Sequence, residues 1–161
     1  MATVASAARA PRHGAFLRAG AVAAAVVGVD QLTKHTVANS TAAQEGRSVF
    51  LGVHLVHVRN HGVAFGFLSG GGVIVLAVTL VALAALLIFF ALRPGRRLLW
   101  LPTGLLLGGA IGNLIDRVAQ GSVTDFVKLP LWPAFNLADA AITFGVLALL
   151  WVLEVGDDGH A

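Results

Sequence analysis

Acidic and carboxamide residues gather in the second half of the sequence. Asp116 and Asp125 stand nine positions apart in GNLIDRVAQGSVTDF, and Asp139 follows in FNLADAAITFG. Two carboxylates held near one another can divide acid–base work, one ionised and taking a proton from water, the other protonated and giving one up. Other polar residues recur at helical spacing. Asp30 and Lys34 are four apart, as are Asn113 and Arg117; Asn113 with Asp116, and Asn136 with Asp139, are three apart, so each pair shares a helix face.

The elements that must position these groups are built for hydrocarbon. Of 161 residues, 57% are hydrophobic and 12% charged, against roughly 25% charged in a soluble domain, and the mean hydropathy is +0.84. The composition therefore predicts a polytopic α-helical membrane protein. With no cysteine, the chain has no disulfide, thiolate metal site or cysteine nucleophile. The pI near 10.6 does not indicate nucleic acid as a partner, because the basic residues sit beside apolar runs and form no stripe.

A hydrocarbon core of about 30 Å needs roughly 20 apolar residues in a helix. Four stretches qualify, at about 19–38, 70–92, 98–115 and 137–155, with Pro102 tolerated in the first turn of the third. The first also fits the apolar part of a cleaved leader, but DQLTK inside it argues for a retained helix. Arg9, Arg12 and Arg18 precede span one, and the link 93–97 (RPGRR) carries three more arginines. The positive-inside rule puts both, and hence both termini, in the cytoplasm. Asp30, Asp116, Asp125 and Asp139 then collect at the outer membrane edge, and carboxylates at membrane depth mark function by default.

The outer link at about 40–68 is too long for a turn, and VFLGVHLVHVRN within it predicts strand or hairpin structure in a small extracytoplasmic β-containing subdomain. The second outer link spans 117–136. The whole chain, 1–161, reads as one membrane domain, with GDDGHA as a frayed tail. Gly108 and Gly112 form a small-xxx-small pair suited to close helix packing. His54, His57 and His61 raise a metal site, but on a strand positions 54 and 57 face opposite ways, which disfavours it.

Five blocks in this order, DQLTK, RNHGVAFGFL, GGAIGNLIDRV, VTDF and PAFNLADAAITFG, resemble the lipoprotein signal peptidase (signal peptidase II) family of bacterial intramembrane aspartic proteases. The resemblance implies a substrate: a prolipoprotein already diacylglycerylated on the cysteine after its signal peptide, cleaved just before that cysteine. It also implies residence in the bacterial cytoplasmic membrane, contact with membrane lipids, and inhibition by globomycin-type cyclic peptides. Asp125 of VTDF and Asp139 of NLAD match the family's catalytic dyad. Asp116 is the competitor; with Asn113 and Arg117 it resembles the family's polar scaffold. Asp30, Lys34, Asn60 and Asn136 match other positions near the site. Asn60 is a candidate hydrogen-bond donor to substrate backbone, and Gly62 would allow a close approach or a turn.

For such a dyad, like charges a few ångströms apart do not both ionise easily, so one carboxyl titrates well below the other. A membrane-edge site raises the upper value by desolvation, and the proton belongs to the pair. The chemistry requires no metal or cofactor. Two rival readings remain: a small proton or cation transport protein using the same aspartates, and a non-catalytic adaptor for lipoproteins. A transport path needs polar groups through the membrane, whereas these acids sit at one edge; an adaptor would not need the aspartate pair.

Overall fold

A computed structural model describes residues 10–40, 46–50, 52–61, 72–93, 96 and 98–155. Within these the elements run α1 (Ala10–Ala38), β1 (Ser48–Phe50), β2 (Val53–Asn60), α2 (Gly72–Leu92), α3 (Trp100–Gln120), β3 (Val123–Lys128) and α4 (Leu137–Val155). Helices suit this composition because each satisfies its own backbone hydrogen bonds where no water is present. Among the described residues, three stretches are long and apolar enough to cross a membrane: His13–Ala38, Ile74–Leu92 and Leu137–Glu154. Their outward residues are large and apolar, with Val78, Val81, Ile88, Leu147 and Trp151 all exposed. That is the surface of a protein solvated by lipid.

The third expected span becomes α3, which is less uniformly apolar because its second half carries Asn113, Asp116 and Arg117. It is the central helix, packed against α1, α4 and α2. Its glycines permit this. A Cβ on Gly108 would lie 2.7 Å from the Val26 Cβ and 2.9 Å from the Ala23 carbonyl oxygen on α1; one on Gly109 would lie 2.5 Å from the Ala138 carbonyl oxygen on α4. The close approach expected of Gly108 and Gly112 is thus present, but the two differ in role. Gly108 meets backbone, whereas a Cβ on Gly112 would lie 2.7 Å from the Asp30 carboxylate, so Gly112 makes room for a side chain.

Two boundaries differ from the sequence reading. Helix α1 begins at Ala10, ahead of the expected span, and α3 continues beyond residue 115 to Gln120. The latter end is polar and is closed by Gly121 in the left-handed conformation (φ 71°), whose N–H donates to the Arg117 carbonyl oxygen. Hydropathy alone stops at the last apolar residue, while the helix runs on to its cap.

At the end of the bundle remote from Asp116, Ala19, Phe90, Leu99 and Val152 form a small buried core. The Phe16 and Phe90 rings meet edge to face at 4.8 Å. Arginines line the same end, Arg18 over Trp100, Arg93 over Phe89, and Arg96 donating to the Leu153 carbonyl oxygen.

The expected outer strands form an antiparallel sheet of order β1-β2-β3. The third strand falls within what the sequence reads as a plain link at 117–136. Pairing of β2 with β3 sets Val58 opposite Asp125, Arg59 opposite Thr124 and Asn60 opposite Val123, with an irregularity between Leu55 and Val58. Beyond β3 a short hairpin returns through a Val127–Phe135 bridge to the start of α4.

Candidate active site

Four elements deliver the polar residues to one place. Asp30, Gln31 and Lys34 come from the last turns of α1, Asn113, Asp116 and Arg117 from α3, Asp125 from β3, and Asn136 with Asp139 from the entry to α4. Asp30, Lys34, Asn113, Asp116, Asp125 and Asn136 are all buried, while Asp139 is half-buried. A buried charge is tolerable only when paired and hydrogen-bonded, and these are. The Lys34 ammonium lies 2.7 Å from Asp30 Oδ2 and 3.0 Å from Asp116 Oδ2, and donates to Asn113 Oδ1 at 3.0 Å. Its three protons meet three acceptors.

Each acid of this anchor reaches further. Asp30 Oδ1 accepts the Ala138 N–H at 2.9 Å, tying α1 to the first turn of α4. Asp116 Oδ2 accepts the Thr124 N–H at 3.1 Å, which holds the residue immediately before Asp125. Gln31, unremarked in the sequence, donates through Nε2 to Asp116 Oδ1 at 2.9 Å and to the Gly112 carbonyl oxygen at 3.2 Å. Its only sequence signal was its place beside Asp30 in DQLTK.

Asn136 connects the remaining carboxylates. Its Nδ2 donates to Asp125 Oδ1 at 2.7 Å, its backbone N–H donates to Asp139 Oδ2 at 3.2 Å, and its Oδ1 accepts the Asp139 N–H at 2.9 Å, capping α4. Asn113 Nδ2 donates to Asp139 Oδ1 at 2.7 Å, and Asn60 Nδ2 to Asp125 Oδ2 at 3.0 Å. Arg117 donates to the Asn113 carbonyl oxygen at 3.2 Å. The structure thus gathers nine of the ten sequence-derived site residues; Gly62 lies outside the described residues.

Asp125 and Asp139 open together onto a cavity of about 1240 Å³. Asn60, Asn113 and Arg117 form the polar part of its wall, and Val78, Leu83 and Leu86 of α2 with Leu106 and Ile142 form an apolar trough. Asp116 and Asp30 are absent from this lining. Burial pushes the Asp125 carboxyl up from 3.8 to about 6; the negative charge of Asp139 adds to the rise, and the hydrogen bonds from Asn60 and Asn136 oppose it. Chemically, the arrangement offers two carboxylates on either side of one asparagine, facing a space with a polar end and an apolar end.

A family model described as Signal peptidase (SPase) II matches residues 22–154. Similar proteins include two named lipoprotein signal peptidase. The one from Moorella thermoacetica is 44% identical over 139 residues, covering 84% of this chain and 93% of that protein. The one from Halothermothrix orenii is 39% identical over 137 residues, covering 82% and 94%. Two solved structures, each described as a bacterial membrane enzyme, share the fold. One, at 2.3 Å resolution, has a TM-score of 0.80 at 32% identity over 89% of this chain and 91% of its own. The other, at 1.9 Å, has a TM-score of 0.75 at 33% identity over 84% and 91%.

Proposed function

Since the chain belongs to the signal peptidase II family, a bacterial membrane protease that removes the signal peptides of lipoproteins, we propose that Asp125 and Asp139 are its catalytic dyad. The observation that carries this reading is that these two carboxylates alone among the four buried or half-buried aspartates line the cavity, bridged by Asn136. Asp116 and Asp30 are occupied by Lys34 and by backbone N–H groups.

The geometry supports the following mechanism. Every oxygen of the dyad accepts one hydrogen bond from its flanks: Asn60 and Asn136 on Asp125, Asn113 and the Asn136 N–H on Asp139. These donors fix the carboxyl planes, so a water between them meets two oriented groups. With one proton shared by the pair, the ionised partner removes a proton from that water as it attacks the scissile carbonyl. The protonated partner donates to the carbonyl oxygen and then, as the tetrahedral intermediate collapses, a proton passes to the leaving amine. Burial raises the Asp125 carboxyl to about 6, so it holds a proton well above the ordinary carboxylate range.

The scissile bond is the one before the diacylglyceryl-modified cysteine. The apolar trough suits the substrate's hydrocarbon, and the polar end suits its peptide. The dyad faces outward, with the arginine-rich end and both termini in the cytoplasm, so the cleavage site sits at headgroup depth. Asn60 lines the cavity and is the residue to hydrogen-bond substrate backbone there, and a globomycin-type cyclic peptide would compete for the same cavity. The transport reading gains no support, because among the described residues the buried charged groups end at the anchor, and the far end of the bundle is an apolar core of Ala19, Phe90, Leu99 and Val152.

The decisive experiment is cleavage of a diacylglyceryl-modified prolipoprotein by purified protein in detergent. Asp125→Asn and Asp139→Asn should each abolish turnover with the fold retained, and Asp116→Asn should keep part of it. Normal cleavage by Asp125→Asn with a dead, folded Asp116→Asn would make Asp116 the partner of Asp139 instead.

A further inference from the structure

We infer that Lys34 is a positioning residue for catalysis: it fixes which way the Asn113 carboxamide points, and thereby presents a hydrogen-bond donor to Asp139. The inference rests on the dyad reading above and extends it to a residue that touches neither catalytic carboxylate.

An asparagine side chain can be turned by 180° about its last bond with almost no change of shape, exchanging a donor for an acceptor. Its polarity is set by neighbours that have no such choice. An ammonium only donates, so the Asn113 atom 3.0 Å from Lys34 Nζ must be the oxygen. The opposite atom, 2.7 Å from Asp139 Oδ1, is then the NH₂ group. Reversed, Asn113 would set its carbonyl oxygen against a carboxylate and its NH₂ against the ammonium.

A second fixed group completes the ordering. The Asp139 N–H, which also only donates, lies 2.9 Å from Asn136 Oδ1 and so turns the Asn136 NH₂ toward Asn113 Oδ1 at 3.1 Å and Asp125 Oδ1 at 2.7 Å. Both dyad residues thus receive donors whose direction is imposed by two groups that can only donate, the Lys34 ammonium and the backbone N–H of Asp139. Lys34 is the sole charged member of that pair of determinants. Asp30 and Asp116 hold its ammonium in place from the other side, which explains why a lysine is buried 4% exposed at a helix end.

A purely structural ion pair would not communicate with Asn113, which gives the test. Turnover of a diacylglyceryl-modified prolipoprotein is measured in detergent for Lys34→Met, Asn113→Leu and the double variant, normalised to folded protein. Each single variant should lower kcat about 10-fold, the effect of one hydrogen bond to a charged group, and for Lys34→Met KM should be nearly unchanged because Lys34 does not reach the cavity. The double variant should be no worse than Asn113→Leu alone, since Lys34 has no amide left to orient. Multiplied losses in the double variant, or a Lys34→Met loss that falls on KM, would overturn the inference. If Lys34→Met does not fold, the same cycle is run in an Asp30→Asn background, which relieves the uncompensated charge. Asp125→Asn and Asp139→Asn serve as controls: if either turns over, the dyad reading fails, whereas dead controls with an additive cycle leave that reading standing and remove only the role of Lys34.

Discussion

Asn60 Nδ2 donates to Asp125 Oδ2 at 3.0 Å, joining residues 65 positions apart in sequence at the end of the β2–β3 pair. The sheet is therefore part of the site: it carries one member of the proposed dyad on β3 and that member's hydrogen-bond donor on β2. A donor to an ionised carboxylate favours ionisation. Replacing Asn60 with leucine should move the Asp125 titration upward from its value of about 6. The protonated-carboxyl band in the infrared difference between Asn60→Leu and Asn60→Leu/Asp125→Asn would give its midpoint. A midpoint at or below that of wild type would remove Asn60 from this role.

The same elevated carboxyl makes stability depend on pH. Asp125 stands at about 6 in the folded protein and near 3.8 when solvated, so the folded state holds its proton more tightly. Stability attributable to this residue is greatest below pH 4 and declines as pH rises through the window from about 4 to about 6. Asparagine has no such dependence. Asp125→Asn should therefore melt higher than wild type at pH 7.5 by a margin that shrinks toward pH 4. An inactive variant that is more stable at neutral pH is the signature of a group retained for function. A margin that is constant with pH would mean that burial does not raise this carboxyl.

What was legible in the sequence was the membrane class, the polar spacing along α3 and α4, and the collection of acids at one end. Those follow from hydrocarbon length and helical period, both local properties. Strand β3 was not legible, for a physical reason. In VTDFVK, Asp125 takes the same face as Val123 and Val127, so the residue that the site requires breaks the alternation by which a strand is recognised. Gln31 was missed because a glutamine near a helix end has no distinguishing pattern; its importance lies in the Asp116 oxygen it meets, 85 positions away.

That contact makes Gln31 testable. Asp116 Oδ1 accepts from Gln31 at 2.9 Å, and its Oδ2 holds Lys34 and the Thr124 N–H. Gln31→Leu keeps the volume but leaves one oxygen of a buried carboxylate without this donor, at a cost of about 1–3 kcal/mol. The melting temperature in detergent should fall, and turnover should fall with it, because Asp116 sets the position of β3. An unchanged melting temperature would mean that the Asp116 oxygen finds another donor.

The glycines of α3 and α4 should differ in sensitivity according to what each faces. On Gly109 a Cβ would meet the Ala138 carbonyl oxygen at 2.5 Å and the Ile142 nitrogen at 3.3 Å, both backbone, so the helices themselves must separate. On Gly145 of α4 the atoms a Cβ would meet are side-chain ones, Leu106 Cγ at 2.8 Å and Leu105 Cβ at 3.2 Å, so neighbours must shift but no backbone group is struck. Gly109→Ala should therefore destabilise more than Gly145→Ala, with overpacking costs of about 1–3 kcal/mol as the guide. It should also lower turnover beyond its effect on stability, since Ala138 adjoins Asp139 and the displaced turn carries that carboxylate away from Asn113 and Asn136. Measured side by side for melting temperature and for kcat per folded molecule, equal effects of the two substitutions would show that α3 and α4 are not held at backbone contact beside the dyad.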